Sequence, residues 1–350
     1  MSEGATAPGR APAGCPPGAG PAGPSGASLP DGFSGSLDRG GWRRRDAPGV
    51  LDRLVRDDLP TLGLLTPVES DWARGSPGPA PAMEDHDRHV ALADALGFSA
   101  VWLRDIPLFD PSFGDAGHVW DPWTYAGYLA AVTRTIAIGT AAIVAPLDHP
   151  LHVLKRAASI DQISGGRFLL GLAAGDRPSE FPAFGVPMEA RGERLRACVD
   201  LIEKVWPTEP DFSGGDVLPR PRQADGVPVV IVGRAQQDPG WIGAHADAWF
   251  VPPQPLAGAT RLAEEWRRVC ANGGAEGPKP LLQPVRLVLG ADPSEPVREG
   301  RGVLTGGIRA LGDHLRRLRE AGIDHVALNL RLSRRPIPDV LRDLAPLAAG

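Results

Sequence analysis

Short apolar runs alternate with segments of helical periodicity along the chain from residue 50 onward. One helical segment spans residues 82–98, where His89, Leu92 and Leu96 fall on one helix face. Eight apolar runs have the length and composition of strands, and a helical pattern follows each of them. The predicted strands cover residues 62–68, 99–105, 135–144, 167–173, 227–233, 246–251, 281–290 and 325–330.

Eight strand–helix units over about 300 residues predict an α/β fold. The expected form is a (β/α)8 TIM-type barrel over residues 49–350, with loop insertions at its C-terminal face. A doubly wound open sheet is the alternative, but no GxGxxG motif follows the first strand and no P-loop motif occurs. The insertions at residues 107–120 and 176–189 are the expected lid over a site at the strand ends.

Composition limits the classes of function. The 350 residues carry a net charge of −5, which disfavours a nucleic-acid platform. The three cysteines are far apart, no apolar run is long enough for a membrane span, and no signal peptide precedes the first domain. We therefore expect a cytoplasmic protein. Residues 1–48 are mostly Gly, Pro, Ala and Ser, and we expect them to form a disordered tail.

Metal chemistry is not expected, because the eight histidines include no HExxH motif and no pair at ligand spacing. Gly175 lies in a loop where a ligand could approach the backbone closely. Gly233 stands before a predicted helix start, where N–H groups and the helix dipole suit a phosphate. Arg177 and Arg191 could add charge-assisted hydrogen bonds. Tight turns and a solvated surface explain these residues equally well at this stage.

The third predicted strand loses its large side chains where its loop begins, at Thr140, Ala141 and Ala142. Two explanations are open. Either the core is crowded at this point, or a large flat group lies against the backbone.

The segment GTAAIVAPLDHPLHVLKRAASIDQISGGRFLLGLAAG, residues 139–175, resembles the luciferase-like monooxygenase superfamily, whose members are flavin-dependent (β/α)8 enzymes. GFSAVWLRD (residues 97–105) and AGIDHVALNL (residues 321–330) extend the resemblance, which covers residues 62–344. The resemblance implies that Ala141–Ala142 is a cis peptide against the flavin ring. It also implies that Arg191 and the loop from Gly233 to Gln237 hold the flavin phosphate.

The resemblance implies a site with one catalytic residue, Asp105, at the end of the second strand. The expected cofactor-binding residues are Thr66, Thr140, Ala141, Ala142, Gly175, Asp176, Arg177, Arg191, Gly233, Arg234, Ala235, Gln236 and Gln237. Four aromatic residues are candidates for substrate walls, with core packing as the alternative: Trp102, Trp120, Trp123 and Phe181. Asp161 and Arg167 are interpreted as a buried ion pair beside a turn at Ser164.

One position departs from the family. Bacterial luciferase has a catalytic histidine after the acidic residue of the second strand, and this chain has Ile106 there. We therefore expect a flavin-dependent oxidoreductase without light emission, a monooxygenase that uses reduced FMN and O2 on a small organic substrate. The alternatives are hydride transfer with the deazaflavin F420 and a non-catalytic flavin-binding protein. A flavin reductase partner and a homodimer are further expectations; nucleic acid and membrane partners are not expected.

Overall fold

Eight parallel strands close into a barrel in the computed structural model of the chain. The structure describes residues 49–69, 83, 85–113, 119–207, 215–273, 277, 279–300 and 302–349. The tail predicted over residues 1–48 lies outside these residues, so its predicted disorder stays a prediction.

The elements follow the predicted alternation. The strands are β1 (Thr61–Leu65), β2 (Ala100–Leu103), β3 (Ala137–Thr140), β4 (Ile143–Val144), β5 (Phe168–Ala173), β6 (Val229–Val232), β7 (Ala248–Phe250), β8 (Leu281–Leu289), β9 (Arg298–Gly300), β10 (Val303–Gly306) and β11 (His325–Asn329). The helices are α1 (His86–Ala95), α2 (Pro122–Val132), α3 (Pro150–Ser164), α4 (Glu180–Ala183), α5 (Arg191–Val205), α6 (Pro239–His245), α7 (Leu256–Asn272), α8 (Ile308–Glu320) and α9 (Ile337–Ala348).

The barrel order is β11–β1–β2–β3–β5–β6–β7–β8, and pairing of β8 with β11 closes the ring. The predicted (β/α)8 fold is therefore confirmed. Two details differ from the prediction. The third strand is divided into β3 and β4, because β3 pairs with β2 and β5 whereas β4 pairs with β5 alone. A hairpin of β9 and β10 was not predicted, because β9 is short, exposed and without an apolar residue.

A cluster of apolar side chains fills the barrel, and we call it the interior cluster. Its buried members are Val50, Leu54, Ala100, Trp102, Ala137, Leu169, Val230, Ala248, Phe250, Leu282 and Ala327. The Trp102 ring crosses the interior, and a Cβ on Gly139 would lie 2.4 Å from it. Core crowding therefore explains why β3 has a glycine at its centre. Core packing is also confirmed for Trp102, which is fully buried.

A buried polar network lies beside this indole. Trp102 Nε1 donates to His325 Nε2 at 2.9 Å, and the His325 Nδ1 atom lies 2.8 Å from Thr61 Oγ1. Because Nε2 accepts, Nδ1 carries the proton and donates to the threonine. Burial lowers the pKa of His325 to about 3, so the imidazole is neutral. The network therefore satisfies the polar groups of the barrel interior without a charge.

Residues 49–56 close the N-terminal end of the barrel, and we call them the plug. Val50 and Leu54 pack into the interior cluster, and Thr61 Oγ1 donates to Leu54 O at 2.8 Å. Arg56 donates to Leu347 O and Ala348 O at the C-terminus of α9. A cation at this helix end is favourable because the terminal carbonyls carry partial negative charge.

Removal of the plug is expected to destabilise the barrel strongly. Full burial of Val50 and of Leu54 contributes about 1.5–3 kcal/mol each. Deletion of residues 1–56 should therefore lower Tm by about 10 °C. Deletion of residues 1–48 should leave Tm unchanged, because it keeps the plug. Thermal unfolding of the two truncated proteins and the full chain checks this; equal Tm values for both truncations would contradict it.

The ion pair predicted between Asp161 and Arg167 is wrong. Asp161 Oδ2 accepts from the N–H groups of Arg222 at 2.7 Å and Gln223 at 3.1 Å. Arg167 instead donates to Ile136 O at 2.8 Å, just before β3, and to Ala130 O at 3.0 Å in α2. The two side chains fasten different loops because they leave the turn in different directions. The turn at Ser164 is confirmed, since its Oγ accepts from Arg167 N.

Candidate active site

The C-terminal ends of the strands form the mouth of the barrel, where barrel enzymes carry their sites. Leu65 and Val232 are the last residues of β1 and β6, and Ala141 directly follows β3. All three are half-buried and pack on top of the interior cluster. Their exposed sides therefore form the floor of the mouth, and Ala141 is its smallest side chain.

The peptide between Ala141 and Ala142 is cis, as the family resemblance implies. Thr140, just before it, does not offer its hydroxyl to the mouth. Its Oγ1 donates to Gly171 O at 2.8 Å and accepts from Gly171 N at 2.9 Å. A Cβ on Gly171 would lie 1.7 Å from Thr140 O, so β5 needs a glycine here. Thr140 thus joins β3 to β5.

Thr66 has a similar role between β1 and β2. Its Oγ1 accepts from Arg104 N at 3.1 Å, and its N–H donates to Trp102 O at 3.0 Å. The side chain is buried. Both predicted cofactor-binding threonines therefore use their hydroxyl groups to fasten strand ends that surround the mouth.

Asp105 follows β2 at the mouth and is half-buried. Its Oδ2 accepts from Val144 N at 3.0 Å, which ties the second strand end to β4. Burial raises the pKa of Asp105 to about 6; the Val144 N–H opposes the shift, and the charges of Asp121 and Asp148 add to it. Oδ2 is engaged as an acceptor, so a proton on this carboxyl lies on Oδ1. Asp105 therefore keeps its proton up to about pH 6, well above the range of an ordinary aspartate.

Neutralising Asp105 is expected to stabilise the folded protein at neutral pH. The folded-state pKa of about 6 lies above the unfolded value of about 4, so stability falls as pH rises between these values. Asp105→Asn removes this penalty and keeps an acceptor for Val144. Because the side chain is partly exposed, we expect a gain of about 1–2 kcal/mol at pH 7.5 and none at pH 4. Urea unfolding at both pH values measures it.

Asp110, on the same loop, is the matched control. Hydrogen bonds from Ser112 and Ser179 lower its pKa, so its carboxylate stabilises the fold above pH 4 and the benefit disappears on acidification. Asp110→Asn should therefore lose stability at pH 7.5. A change of the same sign in both variants would contradict the assignment of the Asp105 shift to burial.

The loop after β5 contacts the loop after β2. The Arg177 guanidinium lies 4.7 Å from the centre of the Phe113 ring, and Ser179 Oγ donates to Asp110 Oδ2 at 2.8 Å. Arg177 Nη1 also lies 3.7 Å from the exposed Asp176 carboxylate. Arg177 therefore faces the loop after β2. The two insertions predicted as a lid lie against each other here.

Glu180 is a buried carboxyl that the sequence analysis missed. It is fully buried 4.0 Å from Arg177 Nη1, and neither of its oxygens makes a hydrogen bond of standard geometry. Burial raises its pKa, and Arg177 opposes the shift. The loop also needs Gly175, which has φ of +82° and would place a Cβ 2.7 Å from Val144. Phe181 is a core residue beneath it, 1% exposed.

The other two candidate wall residues pack on neighbouring rings. Trp120 lies edge-on to Tyr125, with ring centres 4.7 Å apart. Trp123 packs against Phe168, with centres 6.2 Å apart, and beside the Arg156 guanidinium. Trp120 is 41% exposed and Trp123 is half-buried, whereas Trp102 and Phe181 are buried.

The loop from Gly233 to Gln237 after β6 has an unusual backbone. Gly233, Ala235 and Gln236 have φ of +64°, +48° and +61°. Gly233 N–H donates to Phe250 O and Gln237 N–H to Arg234 O. The backbone N–H groups of Arg234, Ala235 and Gln236 donate to no atom of the described chain. Successive free N–H groups in such a turn form a concave anion site.

The N-terminus of α5 packs against this loop. A Cβ on Gly192 would lie 3.0 Å from the Gln236 Cβ, so the glycine permits the contact. Gln237 Nε2 donates to Gly192 O at 3.0 Å, and Gln237 Oε1 accepts from Arg196. Gln237 is therefore a brace between loop and helix, with both ends of its amide in use.

Arg191 is the first residue of α5, directly before Gly192. Its Nη1 donates to Met188 O at 2.7 Å, and its Nε is buried without a hydrogen-bond partner. Arg191 thus has an unsatisfied donor, and its helix α5 adjoins the loop that carries the free N–H groups. Together they suit a phosphate.

The predicted contribution of a helix dipole at Gly233 is wrong. The next helix, α6, begins only at Pro239, and the Asp238 side chain accepts from Trp241 N at 3.0 Å. An aspartate cap already occupies that helix terminus and would repel an anion. The anion site therefore consists of the loop and Arg191 alone.

The sequence model of the luciferase-like monooxygenase family matches residues 61–321. The chain belongs to this family. 4-Hydroxyprotoasukamycin monooxygenase of Streptomyces nodosus subsp. asukaensis is 27% identical over 53% of this chain and 52% of that protein. The alkanal monooxygenase alpha chain of Photorhabdus luminescens is 29% identical over 44% of this chain and 43% of that protein. The chain spans about half the length of the curated relatives it matches.

Two solved structures are similar to this chain in fold. Monooxygenase RslO1 from Streptomyces bottropensis has a TM-score of 0.62 at 19% identity, covering 82% of this chain and 98% of that one. An F420-dependent secondary alcohol dehydrogenase, solved with an F420–acetone adduct, has a TM-score of 0.66 at 15% identity, covering 83% and 99%. Both structures therefore share the barrel fold with this chain.

In the part of the chain that the structure describes, no helix has the length and hydropathy of a membrane span. The same residues contain no group of three or more His, Cys, Asp or Glu side chains placed to hold a metal ion.

Two residues at the mouth were missed by the sequence analysis for different reasons. Gly192 carried a signal, because a glycine inside a helical pattern often marks close backbone approach. Glu180 carried none, because its burial depends on two loops that are far apart in the sequence. The other candidate residues came from their positions at strand ends and from the family resemblance.

Proposed function

We propose that the chain is a flavin-dependent oxidoreductase that binds reduced FMN at the mouth of the barrel and oxygenates a small organic substrate with O2. The observation that carries the proposal is the anion site of Arg191 and the three free N–H groups of the 233–237 loop. Its donors suit a phosphate monoester, and it lies at the same end of the barrel as the floor of the mouth, whose smallest side chain is Ala141.

The residues fit FMN on both of its ends. The phosphate would accept from the N–H groups of Arg234, Ala235 and Gln236 and from Arg191 Nε. The ring would lie over the small, half-buried side chain of Ala141, with Ala142 buried directly after it. When bound, reduced FMN supplies the electrons and the O2 chemistry that the protein's side chains lack.

The chain's own residues would hold the substrate in place, shield the mouth from water and move a proton. Asp105, whose pKa is raised to about 6, can exchange a proton through Oδ1 with a substrate oxygen at the mouth. Ile106, next to it, is apolar and donates no proton from its side chain. Contact between the loops after β2 and β5, through Arg177 and Phe113, keeps bulk water from the mouth.

Anaerobic titration of the protein with chemically reduced FMN and with reduced F420 tests the proposal. Neither ligand requires a reductase in this experiment, although we propose that a separate reductase supplies reduced FMN in the cytoplasm. We expect FMN to bind more tightly than F420 by about tenfold or more. Admission of O2 should then oxidise the bound FMN at a rate that a substrate changes.

Three outcomes separate the alternatives. Tighter binding of F420 would replace the proposal with a hydride-transfer enzyme. FMN binding whose oxidation no candidate substrate affects would indicate a non-catalytic flavin protein. Failure of both cofactors to bind would exclude the mouth as a flavin site.

A further inference from the structure

A second cavity lies outside the barrel, on the far side of β8 from the interior cluster. Its volume is about 520 Å³. Leu282 points into the interior cluster, so Gln283 and Val285 do not share its side of the pleated strand. The cavity is lined by the loop after β7 (Pro253, Gln254, Pro255), by β8 (Gln283, Val285), by the β9–β10 hairpin (Glu299, Gly300, Gly302, Val303, Leu304) and by α8 (His314, Leu318).

The base of this cavity carries an amide donor without a partner. Gln283 is fully buried, and its Oε1 accepts from Gln254 N at 3.0 Å. That contact fixes the orientation of the amide, because a flipped Gln283 would set two donors against each other. Its Nε2 is buried and makes no hydrogen bond in the described chain. Buried amide donors are normally satisfied, so this one is matched to an acceptor from outside the chain.

The electrostatics of the cavity disfavour an anion. Glu299, on β9, is partly exposed at the rim, and its Oε1 accepts from Leu256 N at 3.3 Å. His314 Nε2 lies 3.4 Å from the same oxygen. Burial lowers the pKa of His314, and the Glu299 carboxylate opposes the shift only in part. A neutral imidazole beside a carboxylate leaves the rim negatively charged.

The remaining walls are apolar. Val285, Leu304 and Leu318 are buried and line the inner part, while Pro253 and Pro255 are exposed at the opening. A volume of about 500 Å³ lies within the range of small-molecule sites. Apolar walls with one convergent polar group at the base are typical of such sites.

We propose that this cavity binds a neutral small molecule that has an apolar body and a carbonyl oxygen at its buried end, an amide or a ketone. The carbonyl accepts from Gln283 Nε2, and the body packs between Val285, Leu304 and Leu318. None of the cavity residues belongs to the site at the mouth, so this proposal is independent of the proposed function.

The test uses acetanilide, a neutral aryl amide, and benzoate, an anion of similar size. The ¹⁵N-labelled protein is titrated with each, and the side-chain amide signal of Gln283 is assigned from its loss in Gln283→Glu. We expect acetanilide to shift this signal saturably and benzoate to leave it unchanged. Saturating FMN should not alter the acetanilide response.

Acetanilide binding to three variants completes the test, and it is measured by saturation transfer to the acetanilide methyl group. Gln283→Glu keeps an acceptor for Gln254 N and removes the donor, so binding should weaken by about tenfold or more. Leu304→Phe fills the cavity and should abolish binding. Val132→Phe, on the exposed face of α2, is the matched control and should bind like the parent.

Several results would overturn the proposal. These are a Gln283 signal that does not shift, an equal response to benzoate, displacement of acetanilide by FMN, or undiminished binding in Leu304→Phe at unchanged Tm. Displacement by FMN would show that the probe binds at the mouth instead.

Discussion

Ala141→Leu is expected to lower the affinity for FMN by about 10- to 100-fold while Tm and the far-ultraviolet circular dichroism stay near those of the parent. Ala141 lies on the floor of the mouth with one side exposed and its other side on the interior cluster. A leucine there can extend into the open mouth without displacing core atoms. It would then occupy the space over which a flavin ring must lie, and misfit of this size costs about 1–3 kcal/mol.

Ala137→Leu is the matched control, because Ala137 is on the same strand but fully buried inside the barrel. The added carbons have no free space there, so this variant should lose stability instead. Flavin fluorescence titration and thermal unfolding must be measured on both. If Ala141→Leu binds FMN like the parent and only melts earlier, the small residues relieve core crowding and no flavin lies over them.

Arg191→Ala is expected to weaken FMN binding by about 10- to 100-fold and to leave riboflavin binding unchanged. The buried Nε of Arg191 has no protein partner, so the bond it would form is to the ligand phosphate, which riboflavin lacks. A charge-assisted hydrogen bond contributes about 1.5–3 kcal/mol, which corresponds to this range of affinity.

Arg194→Ala, one turn further along α5, is the control for this prediction. Arg194 Nε donates to Pro146 O, so its loss should affect both ligands equally and weakly. Isothermal titration with FMN and riboflavin on the parent and both variants gives the comparison. Equal losses of FMN and riboflavin affinity in Arg191→Ala would assign Arg191 to support of the fold.

The barrel could be predicted from the sequence because the spacing of apolar residues within each segment indicates whether it is a strand or a helix. The start of α6 could have been predicted as well: Asp238 followed by Pro239 is an N-cap signal, and Asp238 caps the helix. The β9–β10 hairpin could not be predicted, because β9 has no apolar residue and β10 is held by its pairing with β8.

The sequence did not predict which groups the polar side chains bond to. Asp161 and Arg167 are close in sequence and opposite in charge, yet each bonds to a different loop. The hydroxyl groups of Thr66 and Thr140 lie at the predicted site but are used by backbone groups. Glu180 and Gln283 are buried by segments that are distant in the sequence, and no local pattern indicates that these segments meet. Residue type and strand position predict where a site is, but tertiary contacts decide which atoms remain available in it.

The plug has a practical consequence for handling the protein. Residues 49–56 enter at the N-terminal end of the barrel strands, whereas the mouth is formed by the C-terminal ends. A surface tether or reporter attached ahead of the plug joins the barrel at the end opposite the mouth. In a protein that begins at residue 49, immobilisation on an electrode through that residue should therefore leave the mouth open to solutes, whereas attachment through a cysteine introduced beside Asp105 would obstruct it.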